Sequence, residues 1–466
     1  MNRTSGPANN SPKLAVDPTE PSFLVLANRL DAPDFSCALQ ISGNGGRGWL
    51  SANPVPKLPE GADKCYAPEV AFDRAGVLYY LFVGLAEPGN EPMGVFLTTS
   101  DNRGRSFSAP RQVLGPLNFA VRMAIDRSVG DNGRIHLVWL HATSDPPLGG
   151  FGPPPNPIMT AYSDDGGKTF STAIQVSDRA RERVVAPALV LGPNNAVHVA
   201  YYDLKNDVRD YQGLEGPTWE GTWSLVVSTS RDGGRRFGRG VVVDDAVVPH
   251  ERVILIFTMP PPAMAVDRQG RICVSWTDAR HGDADVLMRC SAGRGDAWGE
   301  PRRVNDDELG NGHPQYLPAM SMATDGRIDV IFYDRRADFD NIFNHVYYAF
   351  SNDGGQRFAR NVRLTSDASN SFTGQEYLHP SAQGLVEFGS RSALVSTGSG
   401  AIAAWADTRN SLTTTAGQDV FATELRFATG DNKAPRMIVG VALFVVGLLA
   451  VVITYRQRRR LRSRTA

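Results

Sequence analysis

A glycine-rich turn of eight residues recurs along the chain and constrains the fold more than any other feature of the sequence. Its clearest copy is residues 163–170 (SDDGGKTF), in which acids and glycines form a tight turn that ends on an aromatic residue. The closing aromatic residues of the six copies are Trp49, Phe107, Phe170, Phe237, Trp298 and Phe358. Successive copies are 58 to 67 residues apart. A repeat of this length made of short strands predicts the blades of a propeller or the turns of a solenoid.

A second signature precedes each of these turns and consists of two strand-like segments joined by a short turn. Residues 263–280, 319–336 and 393–409 are close copies of it, and looser copies precede the other turns. Each unit is therefore expected to contain an inner strand A, a strand B, a loop, a strand C, the eight-residue turn and a strand D. Seven units predict an all-β fold, a seven-bladed β-propeller of four-stranded antiparallel blades, with six blades as the alternative. The last unit lacks the eight-residue turn, so its blade is expected to be short or completed by the N-terminal segment.

The repeated turn resembles the Asp box, S-x-D-x-G-x-T-[FW], of the sialidase-like (BNR-repeat) β-propeller superfamily. Ser163, Asp165, Gly167, Thr169 and Phe170 match every fixed position. In that superfamily the Asp box is a structural turn on the side of the propeller away from the ligand, so the resemblance implies a fold and not an activity. Sialidases themselves have six blades, which is fewer than the seven units of this chain.

The resemblance also implies which residues a catalytically active sialidase would need. Such an enzyme uses three arginines on the substrate carboxylate, a paired Tyr and Glu, and an Asp acid. Residues 121–124 (VRMA) keep only the arginine of the family's first arginine motif, which is Arg122. The resemblance therefore carries over the fold and no catalytic residue.

The chain divides into five segments by composition. The polar residues 1–12 are expected to be disordered, 13–427 to form the propeller and 428–436 to form a linker. Residues 437–455 contain no charge and would span about 28 Å as a helix, which matches the hydrocarbon core of about 30 Å. Six arginines follow in 456–466. A single transmembrane helix is predicted, because a buried hairpin or core helix would need a flanking amphipathic pattern.

The arginines of the tail place the C-terminus in the cytoplasm and the propeller outside the cell membrane by the positive-inside rule. Export needs a signal, and the first 12 residues have no apolar core of the kind that a signal peptide contains. Either the start of the chain is truncated or misassigned, or the propeller is cytosolic on a tail anchor. The first alternative is favoured.

Composition and motifs exclude several classes of function. The net charge of −1 predicts no basic face for nucleic acid. The eight histidines show no metal-binding spacing, and no phosphate-binding loop is present, so neither a metal nor a cofactor is predicted.

The four cysteines are compatible with an exported domain. Cys273 and Cys290 face each other if Asp278 and Asp285 do, which allows either a cross-strand disulfide or two buried thiols. Cys37 and Cys65 could link unit one to unit two.

One charged position recurs on the strands expected to line the central channel. Four residues before the last Asp of strand A, the first three units have Lys13, Glu69 and Arg122, where units four to six have alanines. This predicts a polar ligand pocket at the channel mouth, with a buried ion-pair network as the alternative. Because the longest loops share this face of the propeller, it is the expected binding face.

A second set of candidates lies at the end of strand B. Arg280, Arg336 and Arg409 each follow an aromatic residue and an Asp in the pattern [FW]-x-D-x-R. They could form a ring for a polar ligand, but repetition at one blade position favours local Asp–Arg pairs that fix each loop. Glu376 and Tyr377, adjacent in a long loop, are further candidates for ligand binding.

Together these features predict a membrane-anchored, extracytoplasmic, sialidase-like β-propeller of the cell surface. Its expected partner is an extracellular glycan or protein that binds on the long-loop face. Two alternatives remain, an exo-acting glycoside hydrolase of the sialidase type and a structural envelope scaffold. Clustered arginines in a deep channel with a contact between Tyr and Glu would favour the hydrolase, and a flat apolar face would favour the scaffold.

Overall fold

The computed structural model describes most of the predicted propeller. The described residues are 8–31, 34–52, 56–88, 90–130, 133–143, 153–208, 219–250, 259–373, 375–376, 386–410, 417–427 and 437–440. Within them the strands form seven antiparallel sheets of four strands each, one of which has an additional short strand. The prediction of an all-β, seven-bladed propeller is confirmed, and the six-bladed alternative is wrong.

The first four blades follow the predicted strand order from the channel outward. Blade one comprises β1 (Asn9–Val16), β2 (Leu24–Leu30), β3 (Ser36–Ser42) and β4 (Leu50–Ser51). Blade two comprises β5 (Lys64–Phe72), β6 (Leu78–Ala86), β7 (Glu91–Ser100) and β8 (Arg111–Leu114). Blade three comprises β9 (Asn118–Asp126), β10 (Arg134–His141), β11 (Ile158–Ser163) and β12 (Ile174–Gln175). Blade four comprises β13 (Val184–Leu191), β14 (Val197–Asp203), β15 (Trp223–Ser230) and β16 (Val241–Val247).

The last three blades repeat this order. Blade five comprises β17 (Ala263–Val266), β18 (Ile272–Asp278), β19 (Asp285–Cys290) and β20 (Arg302–Arg303). Blade six comprises β21 (Gln315–Met322), β22 (Ile328–Asp334), β23 (Phe343–Ser351), β24 (Val362–Arg363) and the additional β25 (Ser369–Asn370), which pairs with β23. The connection to blade seven contains the paired strands β26 (Gln375–Glu376) and β27 (Val386–Glu387). Blade seven comprises β28 (Ala393–Thr397), β29 (Gly400–Asp407), β30 (Asp419–Phe427) and β31 (Met437–Gly440).

The core lies between neighbouring blades. Strand residues alternate between the two faces of each sheet, and both faces are apolar because each blade is covered by a blade on either side. Trp276 and Leu287 of blade five, for example, pack on Val227 and Val243 of blade four. The innermost strands of successive blades contact one another, and β1 contacts β28, so the ring closes between blades seven and one.

The ring closure differs from the prediction. The fourth strand of blade seven is β31, which pairs with β30, so the last blade is neither short nor completed by the N-terminal segment. The N-terminal segment makes a smaller contribution to the ring closure. Ala8 forms a parallel bridge with Gln418, and the backbone N–H of Asn9 donates a hydrogen bond to the carbonyl oxygen of Gln418 at 2.7 Å. Residues 9–12 belong to the segment for which disorder was predicted and lie in β1, where the buried side chain of Asn10 donates a hydrogen bond to Asp31 at 2.8 Å.

The predicted transmembrane segment begins with β31 and not with a helix. Within the part of the chain that the structure describes, no helix is long and apolar enough to cross a membrane. The linker 428–436, the apolar residues 441–455 and the tail 456–466 lie outside the described residues. The membrane helix predicted for residues 437–455 therefore stays a prediction. The part of it that follows β31, residues 441–455, would span about 22 Å as a helix, less than the hydrocarbon core of about 30 Å.

Both disulfides that the sequence allowed are formed. Cys273 pairs directly with Cys290 across β18 and β19, in the same register that pairs Asp278 with Asp285. Cys37 in β3 is bonded to Cys65 in β5, so this disulfide joins blade one to blade two.

The eight-residue turns share one hydrogen-bonding pattern. The hydroxyl of Ser163 donates to Asp165 and accepts the backbone N–H of Gly167, both at 2.8 Å, while Asp165 accepts the backbone N–H of Thr169 at 2.9 Å. Ser230 with Asp232 and Ser351 with Asp353 repeat this arrangement. These turns join strands C and D, so they lie on the same face as the A–B turns and opposite the B–C loops and D–A links.

Candidate ligand site in the central channel

Three cationic side chains, each from a different blade, meet around the carboxylate of Glu69, whose side chain is fully buried in blade two. Arg122 of blade three reaches Oε1 at 3.2 Å, and Arg391 of blade seven forms an ion pair with the same oxygen. Lys13 of blade one lies 3.5 Å from Oε2. The structure therefore brings together the three residues that share a repeat position and adds Arg391, which sequence reasoning missed.

Bulges in the innermost strands aim these side chains. The register of strand A shifts in five blades, and each shift contains a residue with positive φ, namely Ser11, Ala67, Ala120, Ala186 and Leu317, at 50° to 56°. Regular pairing resumes two residues later, at Lys13, Glu69 and Arg122 in the first three blades. An extra residue bends a strand and redirects the side chains that follow it, so the bulges place this one position at the channel.

Arg391 reaches the cluster from the link that precedes β28. Gly389, at φ 89°, passes so close to β1 that a Cβ there would lie 2.9 Å from Cβ of Asn10. The guanidinium then donates to the carbonyl oxygens of Pro68 at 2.7 Å and Ser11 at 3.2 Å. The sequence feature that could have indicated Arg391 is the Gly-Ser-Arg segment of residues 389–391, just before strand A of the blade that closes the ring.

The cluster holds more positive than negative charge. Burial alone would raise the pKa of Glu69, but Arg391, Lys13 and Arg122 outweigh it and lower this pKa to about 2. Burial, helped by Arg391, lowers the pKa of Arg122 to about 10. Glu69 raises the pKa of Lys13, but burial and the two arginines together exceed that effect and lower it. Three cations thus share one carboxylate, and an additional anion would relieve their mutual repulsion.

A cavity of about 180 Å³ opens beside the cluster and has two unlike walls. Lys13, Arg122 and Arg391 line one side. Blades four to six supply the other side with apolar groups, which include Val190, Pro261, Met264, Leu317 and Met320. Among the described residues that line this cavity, none is acidic and none is a tyrosine. The arrangement suits a ligand that has an anionic group and an apolar surface.

The arginines at the ends of the B strands do not line this cavity. Arg280 pairs with Asp278 at 2.6 Å, Arg336 with Asp334 at 2.7 Å, and Arg409 with Asp407 at 2.5 Å. Arg280 and Arg336 also bridge to the preceding blade through Asp244 and Asp306, respectively. Each guanidinium therefore pairs within its own loop, as the local-pair interpretation predicted, and none of the three lines the channel cavity.

The predicted ligand-binding residues Glu376 and Tyr377 lie at the edge of the described part of the chain. The backbone of Glu376 lies in β26, while its side chain and the whole of Tyr377 are outside the described residues. Of the histidines, cysteines and carboxylates that the structure describes, no group of three or more could hold a metal ion.

Comparison with known proteins supports the fold. No family model matches the chain, and no curated protein matches it. A solved structure of an ulvan lyase, described as a new family of polysaccharide lyase, has a TM-score of 0.50 at 12% identity and covers 91% of this chain and 96% of its own. A Hadza microbial sialidase has a TM-score of 0.46 at 13% identity, with 87% of this chain and 74% of its own covered.

An α-L-arabinofuranosidase from Fusarium graminearum gives a similar result. Its TM-score is 0.48 at 12% identity, and the match covers 75% of this chain and 97% of the enzyme. At these identities the likeness concerns the propeller fold, so membership of the sialidase-like superfamily stays a prediction from the repeated turn.

Proposed function

We propose that this chain binds an acidic glycan in its central channel, with the ligand entering from the face that carries the long loops. The observation that carries the proposal is the excess of cations, because Lys13, Arg122 and Arg391 face the cavity and share the single buried carboxylate of Glu69. Guanidinium groups bind carboxylates through strong, charge-assisted hydrogen bonds. The resemblance of the repeated turn to the Asp box makes glycans the first class of ligand to test.

The two walls of the cavity match the two kinds of surface on an acidic sugar. The carboxylate of such a sugar would contact Arg122, Arg391 and Lys13. Its C–H groups would pack against the apolar residues of blades four to six, such as Met264 and Met320. Sites for small ligands commonly combine a mainly apolar lining with a few polar groups that fix the orientation of the ligand.

Binding without hydrolysis is favoured by the state of Glu69. A general acid works best when its pKa lies near the operating pH, whereas the three cations hold the pKa of Glu69 at about 2. Among the described lining residues there is no carboxyl group and no tyrosine to act as nucleophile. An exo-acting glycoside hydrolase of the sialidase type is the second candidate, and the clustered arginines in the channel are the observation that favours it.

We also propose that the C-terminal apolar segment, residues 441–455, holds the propeller at the outer side of a membrane. The support is the absence of charge in this run and the six arginines that follow it. Retention of the full chain in the membrane fraction after alkaline extraction, with release of a chain truncated after Gly440, which keeps β31, would support anchoring. Release of the full chain under the same conditions would contradict it.

The binding proposal is tested with the full-length protein in detergent on an array of sialylated, uronic-acid and neutral glycans. The key variant is Arg122→Gln, and the matched control is Arg236→Gln, which removes the same charge from an exposed turn on the opposite face. Loss of one charge-assisted hydrogen bond is expected to weaken binding of acidic glycans by about tenfold. The control should bind as the wild type does.

A fluorogenic sialoside assay distinguishes the two candidates. The binding proposal predicts no turnover by the wild type. Turnover that Arg122→Ala abolishes would establish the hydrolase instead. Preference for neutral glycans, or equal binding by Arg122→Gln and the wild type, would contradict a site in the channel.

A further inference from the structure

A second and larger cavity, of about 530 Å³, lies away from the channel, between blades two and three. It is bounded by the outer strand β8 of blade two and by the outer part of blade three. Its polar lining includes Gln112, Asn118, Trp139, His141 and Lys168, and Phe170 contributes an aromatic face. None of its lining residues is shared with the channel cavity. Its volume is within the range of about 300 to 1,000 Å³ that is usual for small-ligand sites.

Trp139 in the wall of this cavity has a buried indole N–H without an acceptor. The residue is 3% exposed, and its Nε1 makes no hydrogen bond within the described part of the chain. Leaving a buried donor unpaired costs about 1–3 kcal/mol in general, and such groups are rare in folded proteins. Trp219 and Trp298 also have a buried indole N–H without an acceptor in the described part of the chain, but Trp139 is the one of the three that lines this cavity, where a ligand can supply the acceptor.

The other blades show what is missing. Trp276 and Trp405 occupy the same position of strand B in blades five and seven, and their Nε1 atoms donate to Asp278 at 2.8 Å and Asp407 at 3.0 Å. Each acceptor is the aspartate two residues later. In blade three that position is His141, so of the three tryptophans at this position of strand B, Trp139 is the one that lacks the aspartate, and it is the one that lines the cavity.

His141 offers the complementary group. Its Nδ1 is 2.9 Å from Oδ1 of Asn118, and the amide nitrogen of Asn118 donates to the carbonyl oxygens of Gly115 and Pro116. With the amide held this way, Nδ1 of His141 carries the proton and donates, which leaves Nε2 as an acceptor. A donor on Trp139 and an acceptor on His141 thus belong to one cavity wall.

We propose that this inter-blade cavity binds a carbohydrate unit, separately from the acidic-glycan site in the channel. A sugar hydroxyl can accept the hydrogen bond of Trp139, and the same or a neighbouring hydroxyl can donate to His141. The C–H face of the ring would pack on Phe170 and Met159, which also line the cavity. No described lining residue is acidic, so both neutral and acidic sugars fit the electrostatics, and Lys168 favours the acidic ones.

The test uses full-length protein and a panel of methyl glycosides of glucose, galactose, mannose, rhamnose, N-acetylglucosamine and glucuronic acid. Binding is measured by saturation-transfer NMR and titration. Trp139→Phe removes the N–H and keeps the aromatic packing, while His141→Asn supplies a neutral acceptor that occupies the indole. Trp405→Phe is the matched control, because it removes an indole N–H that already has a partner far from the cavity.

We expect at least one glycoside to bind the wild type, and Trp139→Phe and His141→Asn each to weaken it about three- to tenfold, as loss of one hydrogen bond implies. Trp405→Phe should bind it as the wild type does, and so should Arg122→Gln when the glycoside is neutral, even if the channel binds nothing. Absence of binding by every glycoside would overturn the proposal. So would unchanged binding by Trp139→Phe, or loss of binding in Arg122→Gln alone, which would place the sugar in the channel.

Discussion

Arg122 of blade three and Glu69 of blade two form an ion pair across the boundary between their blades, with 3.2 Å between Nη1 and Oε1. Arg391 of blade seven contacts the same oxygen, and Lys13 of blade one contacts the other. The cluster therefore ties together four consecutive blades around the point where the ring closes. One set of residues thus has two roles, to hold the closure and to present positive charge to the channel.

Glu69→Gln should destabilise the protein. The change leaves Lys13, Arg122 and Arg391 without a counter-charge, and breaking a buried ion pair in this way costs about 3–5 kcal/mol. Urea unfolding at pH 7 measures the loss. The control Glu424→Gln removes the same charge from a pair with the half-exposed Arg426 and should cost less than about 1 kcal/mol. Equal effects of the two substitutions would show that the cluster does not stabilise the ring.

The lowered pKa of Glu69 predicts that the stability of the protein decreases in acid. The pKa of this carboxylate falls from 4.5 to about 2 on folding, so its contribution to stability is complete above pH 4.5 and is lost as the pH falls towards 2. Relative to Glu69→Gln, the wild type should therefore lose stability over this window. A constant difference between the two proteins from pH 5 to pH 2 would contradict the assignment.

Removal of the disulfide that joins blades one and two should lower stability. Cys37 and Cys65 are 28 residues apart, and closing a loop of this length contributes about 3–4 kcal/mol by the chain-entropy relation. The double variant Cys37→Ser, Cys65→Ser should show this loss in chemical denaturation. The double variant Cys273→Ser, Cys290→Ser is the comparison, and its shorter loop of 17 residues predicts a slightly smaller loss. No change in either protein would mean that the thiols are not bonded in solution.

The repeated turn should matter for stability and not for binding. Asp165→Ala removes the acceptor of the Thr169 backbone N–H and hydroxyl, which should cost about 1 kcal/mol. Asp165→Asn is the matched control, because Asn44 and Asn102 make the equivalent backbone hydrogen bonds in blades one and two. Thermal unfolding and glycan binding should be measured together. Weaker binding by a well-folded Asp165→Ala would contradict the assignment of this face as structural.

Two buried histidines should make the protein sensitive to mild acid. Burial, with help from Arg134, lowers the pKa of His136 from 6.5 to about 4, and burial with Arg231 lowers that of His198 to about 4. The unfolded chain then binds more protons than the folded one between pH 6.5 and pH 4. Stability should fall as the pH decreases through this range, by at most about 1.4 kcal/mol per pH unit for each histidine.

His136→Gln isolates one of these contributions. The slope of the unfolding free energy against pH between 6.5 and 4 should decrease in this variant, because a neutral amide does not titrate. Denaturant unfolding at four or five pH values measures the slope. The same slope in both proteins would show that His136 is not buried in its neutral form.

The sequence predicted the part of the site that depends on the repeat. Lys13, Glu69 and Arg122 share one position relative to strand A, so counting along the repeat found all three. Arg391 lies two residues before Ala393, the residue of β28 that pairs with Ala404. Its position depends on how the link around Gly389 passes over β1, which is a contact between the two ends of the chain. No periodicity in the sequence reports such a contact.

The outer strand of blade seven shows a different limit. Residues 437–440 open an uncharged run that has the composition of a membrane helix, yet they form β31. The unpaired edge of β30 offers backbone hydrogen bonds that composition cannot reveal.

The missing acceptor of Trp139 could have been predicted from the sequence, because the Trp-x-Asp pattern of blades five and seven becomes Trp-x-His in blade three. Its significance required the cavity beside it.

The central claim is that the cations of the channel bind the carboxylate of an acidic glycan. The most direct measurement compares, by calorimetric titration of the full-length protein, the acidic glycan that binds best on the array with its carboxyl-reduced form. We predict that reduction of the carboxyl group weakens binding to the wild type by about tenfold or more, and that this difference largely disappears in Arg122→Gln. Equal affinity of the wild type for the two glycans would contradict the account.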